Sequence, residues 1–171
     1  MEALPHGCVE IFLDPGEYYF GDDMTRIRTL LGSCIAVTMW HPRRRIGGMC
    51  HFLLPERGHG AAAEPDGRYG VEAIGMLIRD AEAAGTNPRD YQFKVFGGGN
   101  MFPDFFPVRR EGNVGSKNID CAQRYLEDAG FAIEAQHLGG TGYRNVVFDV
   151  WSGNVWMKHR KVTEQKAVAN G

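Results

Sequence analysis

Apolar and polar positions alternate along this chain in short extended runs broken by glycine, and twice give way to helical spacing. Val9 to Leu13 reads as a strand, Asp14-Pro15-Gly16 as a turn, and the stretch up to Asp23 as a second extended piece. From Thr25 to Glu56 the chain is dense in β-branched and aromatic residues, interrupted at His41-Pro42. That pattern predicts two antiparallel strands joined by a basic turn. In YGVEAIGMLIRDAEAAG, Val71, Ile74, Leu77, Ile78 and Ala81 recur at three- and four-residue spacing, and Gly85 supplies a stop. A second helix is predicted over about 115–129, with Ile119, Ala122, Tyr125, Leu126 and Ala129 on one stripe and Gly130 closing it. YQFKVFGGG, FAIEAQHL, RNVVFDVW and NVWMKH read as strands, the last two joined across Ser152-Gly153. Residues 56–67 lack periodicity and read as a loop. Mixed strands with two substantial helices define an α+β class. We expect one domain over 1–158 and a polar, disordered tail over 159–171.

Composition narrows the function. A chain of 171 residues with 43% apolar and 23% charged residues fits one globular domain. It excludes a coiled coil, a collagen-like repeat and a disordered chain. Nineteen Lys+Arg against 21 Asp+Glu leave a net charge of −2, which offers no electrostatic footprint for nucleic acid. No apolar run approaches the roughly 20 residues of a spanning helix, and MEALPHGCVE lacks a secretory pattern, so a soluble, cytoplasmic protein is expected. Cys8, Cys34, Cys50 and Cys121 contain no CxxC pair, which disfavours zinc and predicts free thiols. No metal or organic cofactor is expected.

The chemistry concentrates on the hairpin. With its tip at Pro42-Arg43, Trp40 pairs with Arg45, Thr38 with Gly47, and Cys34 lies directly opposite His51. Opposed residues on one face have Cβ atoms about 4.5–5.5 Å apart, which allows a Cys-His dyad. A one-residue slip instead pairs Cys34 with Cys50 and reverses every side chain, giving a dithiol. Turn chemistry leaves both readings open. Imidazole beside a thiol promotes the thiolate and returns its proton to a leaving group. Thr29 is a candidate to orient His51, its hydroxyl able to accept or donate. The backbone amides of Ser33 and Cys34, after Gly32, are candidate oxyanion donors. A buried structural cysteine and a core histidine are the plainer reading of the same residues. Gly97-Gly98-Gly99-Asn100 lacks P-loop and dinucleotide spacing and reads as a tight turn with close backbone packing. Arg43-Arg44-Arg45 reads as a solvated turn.

Thr29 followed by LLGSCIAV, then GGMCHFLLP with His51, resembles the chemoreceptor glutamine deamidase family, CheD. The likeness continues through GRYGVEAIGMLI, KVFGGGNMF, NVGSKNID and GGTGYRNVVFDVWSGNVWMK. The resemblance implies conversion of selected glutamines of methyl-accepting chemotaxis receptors to glutamate with release of ammonia. It implies a cytotoxic-necrotizing-factor-like cysteine hydrolase fold, two packed mixed sheets flanked by helices in α/β/β/α layers. It implies a Cys-His-Thr triad, which falls by motif on Cys34, His51 and Thr29. Binding of a CheC-type phosphatase is a further property it suggests, and a chemotaxis adaptor acting mainly by docking is the alternative function. Two departures stand out: Ser116-Lys117 where the family commonly has Glu-Arg, and Cys50 where it usually has a small residue. The 56–67 loop is expected to shape access for a glutamine read on a helix surface.

Overall fold

A computed structural model describes residues 1–60, 64–103 and 113–162. In chain order these residues form β1 (Val9–Leu13), β2 (Tyr18–Gly21), β3 (Thr25–Leu31), β4 (Ile35–His41), β5 (Ile46–Phe52), α1 (Gly70–Ala83), β6 (Gln92–Gly97), α2 (Val114–Asp128), β7 (Ile133–Leu138), β8 (Tyr143–Asp149) and β9 (Asn154–Arg160). The strands make a four-stranded sheet, β1-β3-β8-β9, and a five-stranded sheet, β2-β5-β4-β6-β7. Both are mixed: β1 runs parallel to β3 and β7 parallel to β6, and the remaining pairs are antiparallel. The architecture is therefore α+β with two packed mixed sheets.

Strand alternation divides the core in two. Ile27 and Leu31 of β3, Ala36 of β4, Met49 of β5 and Val146 and Phe148 of β8 fill the space between the sheets. The other faces of β4, β5 and β6, bearing Ile35, Val37, Met39, Cys50, Phe52, Phe93 and Val95, pack on Ala73, Ile74 and Leu77 of α1 and Ala122 and Leu126 of α2. Among the described residues both helices cover the five-stranded sheet, so the layers they show are helices, five strands, four strands. A second helical layer has no counterpart among them. Asn113 caps α2 by accepting the Ser116 N–H at 2.8 Å. Val71, expected on the buried stripe of α1, is 40% exposed, and Met76 is buried instead.

Two sequence expectations change and one open alternative closes. The segment from Thr25 holds three strands, because the chain leaves one sheet at Leu31 and enters the other at Ile35 through Gly32-Ser33-Cys34. The register of β4 with β5 differs by two residues from that predicted: Ile35 pairs with Phe52, Ala36 with His51 and His41 with Ile46. The cause is a four-residue turn, Pro42 to Arg45. Arg45 takes a left-handed φ of 50° and its N–H returns to the His41 carbonyl at 2.8 Å. A shift of two keeps every side chain on its face, so Cys34 becomes the diagonal neighbour of His51 and is not directly opposite it. Third, the slip that would join Cys34 to Cys50 does not occur: Cys50 pairs with Val37 and faces the helices, whereas Cys34 packs on the inter-sheet core. Residues 61–63 of the expected loop and 163–171 of the expected tail lie outside the described residues, and 159–160 belong to β9.

Candidate active site

Thr29 and His51 are drawn together from opposite sheets. Thr29 lies in β3 on the inter-sheet face with Ile27 and Leu31, and His51 lies in β5 on the inter-sheet face with Met49. Their side chains are 2% and 1% exposed, and Thr29 Oγ1 sits 2.6 Å from His51 Nδ1. The threonine hydroxyl has one proton, and the Leu13 carbonyl, which can only accept, takes it at 2.8 Å. Thr29 must therefore accept from His51, which places the imidazole proton on Nδ1 and leaves a lone pair on Nε2. His51 Nε2 is buried with no hydrogen-bond partner among the described residues. The backbone of His51 is held as firmly: its N–H donates to the Glu17 carbonyl at 3.0 Å and its carbonyl accepts from Gly16 N–H at 2.8 Å.

Cys34 is half-buried at the mouth of the same inter-sheet layer. It precedes Ala36 by two residues, and Ala36 is the cross-strand partner of His51. Diagonal neighbours of this kind lie about 7–8 Å apart at Cα, with Cβ atoms closer, within reach of long or planar side chains. The loop around Cys34 is held through its carbonyls. Gly32 O accepts from Gly99 N–H at 2.9 Å, Cys34 O from Gly98 N–H at 2.9 Å, and Ser33 O from Asn118 Nδ2 at 3.2 Å. The glycine run is thus the tight turn expected, and its composition has a reason. A Cβ on Gly97 would stand 2.2 Å from the Cys34 carbonyl oxygen, and Gly98 has a φ of +71° with Ile119 filling the space beside it.

Two groups escaped the sequence reading. Asn118 is fully buried on α2 and bridges Ser33 O and, at 2.7 Å, Leu53 O. Arg144 is 1% exposed with no carboxylate partner among the described residues. Its Nε donates to His137 Nδ1 at 2.8 Å and its Nη2 to Gly139 O at 2.6 Å. The partners of Asn118 are 85 and 65 residues away, whereas those of Arg144 are seven and five residues away. Among the described residues no cluster of His, Cys, Asp and Glu is arranged to hold a metal ion, and no helix is long and apolar enough to cross a membrane.

Burial sets the titration of the pair. It pushes the Cys34 thiol upward and lowers His51 from 6.5 to about 4, with Glu17 opposing weakly. At neutral pH the resting pair is a thiol and a neutral imidazole. This has a consequence for stability. Below pH 6.5 the unfolded chain binds a proton at His51 that the folded chain does not. Stability should therefore fall as pH drops from 6.5 towards 4, by on the order of 3 kcal/mol from this group, and level off below. Urea unfolding at about pH 7 and about pH 4.5 reads this directly. A His51→Gln variant should lose less between those two conditions than the parent, and equal losses would contradict the assignment.

The arrangement offers the chemistry of a cysteine hydrolase: a half-exposed thiol, an oriented neutral imidazole with a free lone pair, and a rigid backbone turn beside the thiol. Comparison with known proteins gives the family. Residues 53–159 match the family model described as CheD chemotactic sensory transduction. A Pseudomonas syringae pv. tomato protein named "Probable chemoreceptor glutamine deamidase CheD" is 52% identical over 95% of this chain and 98% of its own length. "Probable chemoreceptor glutamine deamidase CheD 3" of Dechloromonas aromatica is 46% identical over 92% and 91%. A Leptospira interrogans protein, "Probable chemoreceptor glutamine deamidase CheD 1", is 31% identical over 93% and 98%. Among solved structures, the Bacillus licheniformis hypothetical protein YfiH overlaps 70% of this chain and 49% of its own at 12% identity, with a TM-score of 0.44. The chain belongs to the CheD family.

Proposed function

We propose that this protein is a cytoplasmic protein-glutamine deamidase that converts glutamines of methyl-accepting chemotaxis receptors to glutamate. The observation that carries the reading is the Thr29–His51 contact, which leaves His51 Nε2 unprotonated on the face that Cys34 shares. The relatives' names point to the same reaction.

The reaction runs as follows. Cys34 Sγ attacks the glutamine carboxamide carbon while His51 Nε2 takes the thiol proton, so no buried charge stands alone in the resting site. The C–N bond breaks as His51 passes that proton to nitrogen, releasing ammonia and leaving a thioester on Cys34. His51 then takes a proton from water as it attacks the thioester, and the C–S bond breaks to give glutamate and the thiol. Ser33 and Cys34 amides face the developing oxyanion. Thr29 holds the imidazole through Nδ1. A cleft of about 530 Å³ is lined by Pro65 and Gly67 together with Leu13, Gly16 and Glu17, whose backbones bond Thr29 and His51, and we assign the 65–67 segment a role in admitting a receptor helix. Docking of a CheC-type phosphatase is a second property we assign on the family resemblance. Restoration of receptor signalling in cells by a Cys34→Ala protein would favour that docking role over catalysis.

The test is mass spectrometry of receptor cytoplasmic fragments after incubation with the protein. Glutamine-to-glutamate conversion at defined sites is expected. No conversion across several receptors would overturn the deamidase reading.

A further inference from the structure

We propose that Asn118 of α2 is a positioning residue that fixes the Ser33–Cys34 peptide and locks the Cys34 loop to the strand end carrying His51; this rests on Cys34 and His51 being nucleophile and base. The β4–β5 ladder stops at the pair Ile35–Phe52. The next rung would join Cys34 to Leu53, but Leu53 N–H is turned away to the Arg68 carbonyl at 2.9 Å. The hairpin is open at the point where the two reacting side chains must be held together. Asn118 Nδ2 spans that opening, donating to Ser33 O at 3.2 Å and to Leu53 O at 2.7 Å. The first acceptor adjoins Cys34 and the second lies two residues beyond His51.

The Ser33 contact also sets a direction. In a trans peptide the C=O and the following N–H point opposite ways. With Ser33 O drawn to α2, the Cys34 N–H is aimed away from the helix, and with Gly32 O held by Gly99 N–H the Ser33 N–H is aimed away from Gly99. Helix α2 comes close enough because its first turn carries Gly115, where a Cβ would meet Gly98 O at 2.7 Å. Asn118 is fully buried and satisfies two backbone carbonyls through Nδ2 while its Oδ1 has no partner among the described residues, so the bridge carries the cost of one unmatched buried acceptor. Such a cost is accepted where a particular geometry is required.

Asn118→Leu fills the space and removes the donor; Asn118→Ser keeps a hydroxyl that is too short to span both carbonyls. Three readouts are needed: steady-state glutamate formation on a receptor fragment, the pH profile of Cys34 alkylation by iodoacetamide located by mass spectrometry, and thermal unfolding. We expect kcat to fall by about ten- to a hundredfold with KM little changed, and the alkylation profile to be displaced from the parent's as the Ser33–Cys34 loop loses its anchor. A folded variant with the parent's kcat and alkylation profile overturns the proposal, as does a lower melting temperature with both unchanged. If Asn118→Leu does not fold, Asn118→Ser decides. If the parent protein deamidates no receptor, the deamidase reading fails while the alkylation profile still decides: displacement supports the positioning role and superposition overturns it.

Discussion

Cys34→Ala is expected to abolish receptor deamidation while leaving the fold intact. The side chain is half-buried and makes no side-chain hydrogen bond among the described residues, and alanine leaves only a small gap at the edge of the inter-sheet core. The loop geometry at 32–34 is carried by backbone carbonyls that the substitution does not touch. Thermal unfolding should therefore stay within a few degrees of the parent, an effect of about 1 kcal/mol or less. Turnover should fall on the order of 10⁶-fold, the scale seen when a hydrolase loses its nucleophile. Without the thiol no thioester forms, and water must attack the far less reactive carboxamide directly. Cys34→Ser should be nearly as inactive, because a hydroxyl gives up its proton to the His51 imidazole far less readily than a thiol does. Cys50→Ala is the matching control. Cys50 lies under the helices on the opposite face of β5, and burial pushes its thiol up to about 12. That variant should lose some stability and keep its rate per folded molecule. Full activity in a folded Cys34→Ala protein would remove Cys34 from the mechanism.

Placing the turn at its proline puts Cys34 and His51 on one face, with the one-residue slip left open by the sequence, and the register lies two residues from that placement. The error came from the turn. Gly or Asn marks a left-handed position in a sequence, but here Arg45 occupies it, and Pro42 reads in the sequence as one half of a two-residue tip. Because the slip was even, the face assignment survived. Helical stripes predicted α1 and α2 within about one residue at each end, yet the same logic hid Asn118. A polar residue on an apolar stripe has no local signal for its partners, and these lie 85 and 65 residues away. Arg144 was hidden although its acceptors lie only seven and five residues away. Strand alternation puts it inward opposite Leu31, but a lone inward cation cannot be told from an exposed one until Gly139 and His137 are seen to accept from it. The direction of the Thr29 hydrogen bond, open in the sequence, was decided by Leu13. That carbonyl comes alongside only through the parallel pairing of β1 with β3.

Thr29→Val should then be the most informative substitution after Cys34→Ala. Valine preserves the branched shape and the β3 packing and removes only the hydroxyl. Two groups lose their partner at once, the Leu13 carbonyl and the His51 Nδ1 proton. Without an acceptor at Nδ1 the imidazole is free to carry its proton on Nε2, which turns the lone pair away from Cys34. A histidine in the wrong tautomer costs a hydrolase up to about 10⁴ in kcat, and a loss of about 10² to 10⁴ is expected here. KM should change little, because Thr29 is buried and reaches substrate only through His51. Thr29→Ser restores the hydroxyl and should recover most of the rate. The ring nitrogens give an independent readout: nitrogen NMR of the parent should show Nδ1 protonated and Nε2 bare at neutral pH, and the valine variant should shift towards the other tautomer. Loss of rate with an unchanged tautomer would assign Thr29 to packing alone. Undiminished kcat in Thr29→Val would break the link between the contact and the chemistry.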